Sequence, residues 1–160
     1  MEKKVIQTSY EYYNTKEELN VEDAALMEQA IVAYKNAYAP YSKFNVGCAL
    51  LLENGKVILG NNQENAAYPS GMCAERVAIW KASSDYPKVK VLKLAIAVHS
   101  KNQIVSNPVG PCGSCRQTLS EYEMNQKQGM EVLFMGETGP VIKTNSLLDL
   151  LPLAFDKSNL

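Results

Sequence analysis

The chain predicts a three-layer α/β/α fold with a mixed central sheet. Three observations carry this expectation. Periodic segments follow one another as helix, hairpin, helix, strand, helix, strand and helix, an order that packs helices on both sides of one sheet. Residues 91–98 form an apolar run of strand length, which suits a central strand covered on both faces. The length, 160 residues, allows one domain with a proper core and is short for two. Residues 1–20 show no sustained period and are expected to form an N-terminal extension, with the single domain over 21–160.

Each element has a local reason. Over 21–39, Ala24, Ala25, Met27, Ala30, Ile31, Ala33 and Tyr34 share one broad helical face, and Pro40 ends the helix because it pushes Ala39 toward extended geometry. Residues 44–52 and 56–59 read as a hairpin around Glu53-Asn54-Gly55, since Asn-Gly readily takes left-handed turn angles. Residues 60–71 are polar and turn-rich, as in a loop open to ligand. A helix over 73–83 follows, its Ala74, Val77, Ala78 and Ala82 short enough for close packing. After the 91–98 strand come a turn at 107–110, a helix over 114–122 and a strand over 131–135. A short strand around Ile142 and a helix over 146–151 complete the series.

Composition limits the partners. With 16 basic and 17 acidic residues the net charge is -1, and no Lys/Arg block offers itself to a polyanion. A small, weakly charged substrate is the easier reading, with neither nucleic acid nor membrane as partner. The stretch 1–13 lacks the apolar core of a signal peptide and no stretch approaches a membrane span, so a cytoplasmic location is expected. Four cysteines in that setting argue for reduced thiols and against a disulfide scaffold.

The chemistry concentrates in Cys73-Ala74-Glu75 and Pro111-Cys112-Gly113-Ser114-Cys115. A C-x-x-C pair by itself is compatible with redox, structural or accidental roles. Joined to a distant C-x-E, it is similar to the zinc site and proton carrier of the zinc deaminases. Both segments are expected to start helices, where free N–H groups and the positive helix end favour thiolates. Three protein ligands, Cys73, Cys112 and Cys115, leave a fourth tetrahedral position open for water. A closed structural zinc completed by His99, Cys48 or a carboxylate stays open as an alternative. Glu75 beside an open position can move protons, whereas its plain role is first-turn stabilisation worth roughly 0.3–1 kcal/mol. Three thiolates outweigh the charge of Zn(II), so a guanidinium on a ligand sulfur, from Arg76 or Arg116, would restore acidity to a bound water. Either arginine could equally form a surface or interface ion pair.

Four blocks, in order, carry a wider resemblance: 39–47 (APYSKFNVG), 62–68 (NQENAAY), 73–78 (CAERVA) and 111–117 (PCGSCRQ). Together they resemble the cytidine deaminases of the small, homotetrameric, zinc-dependent type, over roughly residues 21–155. The resemblance implies a cytidine-deaminase-like fold, with zinc on Cys73, Cys112 and Cys115 and Glu75 as proton carrier. It places Phe44 against the nucleoside, Asn62 and Glu64 on the sugar 3′-hydroxyl, and Asn65 and Ala66 near the base. Tyr68 would help form the pocket or a subunit contact. In the tail 150–155, Phe155 would reach a neighbouring subunit's site, although Leu153 stands where many relatives carry a small residue. Read without the resemblance, Asn62 and Glu64 are equally turn residues and Phe44 is a core aromatic.

The implied reaction is hydrolytic deamination of cytidine and 2′-deoxycytidine to uridine and 2′-deoxyuridine with release of ammonia, at sites on the subunit interfaces of a homotetramer. Three rivals remain at this point. They are deamination of another cytosine-like compound such as blasticidin S, deamination of cytosine in nucleic acid, and a zinc-stabilised interaction protein without catalysis.

Overall fold

A computed structural model describes all 160 residues. Its elements are β1 (Glu11–Tyr13), α1 (Val21–Tyr34), β2 (Phe44–Leu52), β3 (Val57–Asn61), α2 (Ala74–Asp85), β4 (Val91–Ser100), α3 (Gly113–Gln126), β5 (Glu131–Met135) and β6 (Val141–Thr144). Six strands form one sheet in the order β1-β6-β5-β4-β2-β3. Only β4 and β5 pair in parallel, joined by the α3 crossover, so the sheet is mixed as expected.

Strand alternation sorts the core into two layers. Cys48, Leu50, Leu94, Ile96 and Val132 pack with Ala78 and Ile79 of α2 and Leu119 of α3. The intervening residues Ala49, Ala95, Ala97 and Leu133 pack with Leu26, Met27 and Ala30 of α1. Thus α1 covers one face and α2 with α3 the other. Each fully buried Leu, Ile or Met contributes about 1.5–3 kcal/mol by leaving water. Two glycines set the closeness of the layers: a Cβ on Gly47 would strike the Ala30 carbonyl of α1, and one on Gly60 the Ala74 carbonyl of α2. No helix is long and apolar enough to cross a membrane.

The structure departs from the sequence reading in several places. α1 stops at Tyr34, five residues before the expected end. The amides of Asn61 and Asn45 donate to the Ala33 and Tyr34 carbonyls, and the chain then leaves to pair Tyr38 with Gln63. The hairpin uses a three-residue loop in which Gly55 alone is left-handed, at φ 79°, so Asn54 is not the special residue. β3 runs to Asn61, into the stretch expected as loop. Residues 146–151 form only a 3-10 turn, Leu147–Leu150, because Leu151 precedes Pro152 and is held off helical geometry. Within 1–20, β1 joins the sheet by pairing with β6, and Lys16–Glu18 form a 3-10 turn. Asn20 caps α1 through the Asp23 amide at 2.9 Å.

On the α1 face lies a buried ion cluster. Asp23, fully buried, accepts from Lys93 at 2.6 Å and Lys143 at 2.7 Å, and Lys143 also meets Glu131 at 2.9 Å. Burial pushes the Asp23 carboxyl up, but the hydrogen bonds from Lys143 and Lys93 outweigh it and hold the group below the ordinary range. Its contribution is therefore complete above the unfolded-state value of about 3.9 and is lost as pH falls from there through the depressed folded value. Asp23→Asn, which leaves two lysines facing an amide, should cost about 3 kcal/mol in urea unfolding at neutral pH. The deficit relative to the parent should shrink as the pH drops below the unfolded-state value.

Candidate active site

The sequence places Cys73 and Cys112 at N-caps, the first of α2 and the second of α3, with extended ψ values of 152° and 165°. Each thiol therefore meets the exposed N–H end of a helix, where negative charge is favoured. Cys115 lies three residues on from Cys112, one helical turn away and on the same side. The three Sγ atoms all fall within 4.8 Å of one another, with Cys73 and Cys112 at 3.9 Å. Tetrahedral zinc with Zn–S of about 2.3 Å requires sulfurs about 3.8 Å apart, so the donor set fits that ion. The sulfurs are free thiols, not a disulfide.

The thiols of Cys73 and Cys115 are shifted in opposite directions. Cys73 is held down at about 5, first by its sulfur hydrogen bond with Cys115 and then by Arg76, against the opposing effect of burial. Cys115 is pushed up, first by its contact with Cys73 and then by burial. Thiols must lose their protons to hold a metal, which makes zinc binding pH-dependent. Arg76 donates Nη2 to the Cys73 sulfur at 3.3 Å, which is the contact expected of it. Its Nε is buried without an acceptor.

Arg116 behaves differently from the expectation. Its Nε donates to the Pro111 carbonyl at 2.7 Å and its Nη1 to the Leu150 carbonyl at 3.0 Å. It touches no ligand sulfur by hydrogen bond, because one position past Cys115 its side chain lies back across the first turn of α3. His99 is also removed from the metal question. It stands on the α1 face of β4, stacked on Tyr34 at 5.7 Å and 3.1 Å from Glu137, across the sheet from the cysteines. Cys48 faces the α2 side but is sealed in the core, where burial and the Glu75 charge push its thiol up. The cluster thus consists of the three thiols, with neither His99 nor Cys48 among them.

Glu75 is the second residue of α2, 4% exposed, and lines a cavity of about 590 Å³ together with Cys73, Arg76 and Cys112. Burial raises its carboxyl above the ordinary range, and the Cys73 charge adds to this, while Arg76 opposes. A carboxyl raised by burial inside a cleft suits proton transfer near neutral pH. The cavity size is that of small-molecule sites. Val46, Ile96, Val98 and Val109 supply an apolar wall.

Asn62, Glu64, Asn65 and Tyr68 all line the same cavity, brought there by the chain leaving β3. Asn62 is tied to β2 at both ends of its amide, accepting from Val46 N at 2.8 Å and donating to Phe44 O at 2.9 Å. Glu64 accepts from the Tyr41 and Ser42 amides at 2.9 and 3.3 Å. Desolvation pushes its carboxyl up, yet hydrogen bonds from Ser42 and from these two amides hold it below the usual range. Asn65 accepts from Ala67 N at 2.8 Å, closing a tight turn. Phe44 and Ala66 do not line the cavity. Phe44 shares the β2 face of Val46 at the strand's start, and its backbone carbonyl serves Asn62. Phe155 is exposed and outside its own chain's cavity, its carbonyl held by Gln117 Nε2 at 2.9 Å.

The sequence reading assigned no role to Tyr41, Met72 or Val109, all of which line the cavity. Tyr41 packs edge-on against Tyr68 with ring centroids 6.4 Å apart. The available signal was the Pro40-Tyr41-Ser42-Lys43 turn, in which Lys43 is left-handed at φ 60°.

Comparison with known proteins points the same way as the geometry. The sequence profile of the family described as "Cytidine and deoxycytidylate deaminase zinc-binding region" matches residues 20–128. The cytidine deaminase of Halalkalibacterium halodurans is 39% identical over 130 residues, covering 81% of this chain and 91% of that protein. That of Sporosarcina psychrophila is 40% identical over 135 residues, 84% of this chain and 92% of its own length. The crystal structure of cytidine deaminase from Burkholderia pseudomallei superposes with a TM-score of 0.72 at 38% identity, over 86% of this chain and 100% of that one.

The donor geometry makes a direct prediction. Purified protein should carry one zinc per chain, and Cys73→Ser, Cys112→Ser or Cys115→Ser should each lower zinc content and thermal stability together, read by elemental analysis and calorimetry. Cys48→Ala should leave zinc content unchanged.

Proposed function

The chain belongs to the cytidine and deoxycytidylate deaminase family, and we infer from that membership that it catalyses zinc-dependent hydrolytic deamination of cytidine. The observation that carries this reading is the convergence of three thiols, a buried carboxylate and a nucleoside-sized cavity at two helix N-termini. In the reaction water adds at C4 of the pyrimidine, the C4–N bond breaks, and ammonia leaves. Cys73, Cys112 and Cys115 would hold the zinc, whose Lewis acidity would lower the pKa of a water enough for it to lose a proton and become the nucleophile.

The chain's own groups do the rest. Glu75 takes the proton from the attacking water, delivers it to ring N3, and then serves the departing ammonia. Its burial supports this role, since a carboxyl poised above the ordinary range can both accept and return a proton. Arg76 withdraws charge from the Cys73 sulfur and so offsets the excess of three thiolates over a divalent ion. Asn62 and Glu64 hold the sugar 3′-hydroxyl. Each is anchored by backbone of β2 or its approach and still has hydrogen-bonding capacity for a ligand. Asn65 and Tyr68 border the base, and Phe44 and Ala66 act from just outside the cavity wall.

Glu64 also argues for a free nucleoside over a nucleotide. A carboxylate at the sugar end repels a phosphate at close range. The same pocket accommodates 2′-deoxycytidine, because the two sugar-binding residues address the 3′ position. The chain acts on pyrimidine nucleosides in the cytoplasm, a compartment supported by four cysteines that are free thiols. It works as a homotetramer in which Phe155 of one subunit enters a neighbour's site. The exposure of Phe155, Tyr68 and Trp80 on the isolated chain supports such burial on assembly.

Incubation of the zinc-loaded protein with cytidine, deoxycytidine, cytosine, CMP and blasticidin S, with ammonia quantified, tests the assignment. Turnover of the two nucleosides alone is expected; no turnover despite one zinc per chain would overturn it. Glu75→Gln should keep its zinc and lose about 10²–10⁴ in kcat, the usual contribution of a positioned acid–base group. Phe155→Ala should raise KM for cytidine more than it lowers kcat, with zinc content unchanged.

A further inference from the structure

The contacts of Arg116 join two parts of the molecule that the reaction treats separately. Pro111 precedes the N-cap Cys112, so its carbonyl lies outside the helical ladder of α3. The first helical bond there runs from Arg116 N to the Cys112 carbonyl at 2.9 Å. Leu150 ends the 3-10 turn from which the tail departs toward Phe155. Neither the Pro111 nor the Leu150 carbonyl has a backbone donor. The Arg116 guanidinium supplies both, through Nε at 2.7 Å and Nη1 at 3.0 Å. One residue later, Gln117 holds the Phe155 carbonyl at 2.9 Å. Three consecutive residues of α3 are therefore a metal ligand, a two-ended clamp and a second tail anchor.

We propose that Arg116 is a positioning residue that couples the metal loop to the C-terminal tail. One planar fork orients the peptide leading into Cys112 and fixes the point at which the tail leaves the domain. The inference rests on the zinc assignment above. A charge-assisted donor pair in fixed geometry is what arginine offers and lysine does not, since an ammonium is a single flexible point charge. Because both carbonyls share one guanidinium, whatever orders Cys112 also orders the tail. The coupling must be reciprocal: a loosened tail weakens metal retention. Glu123 supports the same tail from further along α3, accepting from the Leu147 amide at 2.9 Å. It does not touch the metal loop.

The experiment uses the zinc-saturated protein and two readouts besides activity. One is the rate of zinc release into a chromogenic chelator. The other is hydrogen exchange of the peptide covering residues 147–155, with zinc and after chelation. In the parent protein, chelation should speed exchange in this peptide. Arg116→Gln should release zinc roughly ten- to a hundredfold faster, the usual effect of losing an outer partner of a ligand. With zinc bound it should exchange its tail as fast as the chelated parent. Arg116→Lys, the milder variant if the glutamine form folds poorly, should fall between the two. Tail exchange in the parent that ignores zinc would overturn the coupling, as would zinc release at the parental rate in both variants. A parent protein that retains no zinc would overturn the metal centre itself and the coupling with it.

Discussion

Three sulfurs can reach one ion only if two separate helices begin at the same place. The sheet imposes this. β2 is antiparallel to both β3 and β4, so those two strands run in the same direction and end at the same edge. α2 begins after β3 and α3 after β4, and both lie on one face of the sheet. Their N-termini therefore converge, bringing Cys73 to Cys112 and Cys115. The approach is close because Gly60 has no side chain to hold α2 away. The loop leaving β3 delivers Asn62 and Glu64 to the same edge.

Electrostatics at that edge follow from burial and helix direction. Two positive helix ends face the thiols and the Arg76 guanidinium meets the Cys73 sulfur, which favours negative charge on sulfur there. Glu75 sits among the same groups but is shifted in the sense opposite to Cys73, because desolvation dominates for it. Neighbouring groups pushed apart in proton affinity are what acid–base chemistry near neutral pH requires. The thiols form a metal donor set, and the Glu75 carboxyl beside them has its proton affinity raised.

The other face has a different task. Asp23, Lys93, Lys143 and Glu131 tie α1 to β4, β5 and β6 through paired opposite charges. Such a cluster sets how α1 sits more strictly than apolar contacts alone, since a shift would strand a buried charge. The placement of α1 matters to the site at a distance: its last carbonyls are held by Asn45 and Asn61, the residues before Val46 and Asn62 of the cavity.

Much of this protein is legible along the chain. The C-x-E and C-x-x-C spacings identify the thiol set, and the apolar patterns locate three helices and five of the six strands, because these features depend only on neighbours in sequence. Those neighbours also suffice to relate Glu75 and Arg76 to Cys73. What the chain alone does not contain is competition for backbone groups across space. α1 ends at Tyr34 because two asparagines from strands take its carbonyls. β1 is a strand because β6 offers it an edge. Arg116 serves two carbonyls instead of a sulfur because Leu150 returns beside Pro111. His99 falls on the face away from the cysteines by strand alternation, and only the packing of α1 and α2 on opposite faces turns that parity into distance from the metal site. Local spacing determines which groups can share chemistry; the sheet's order decides which of them meet.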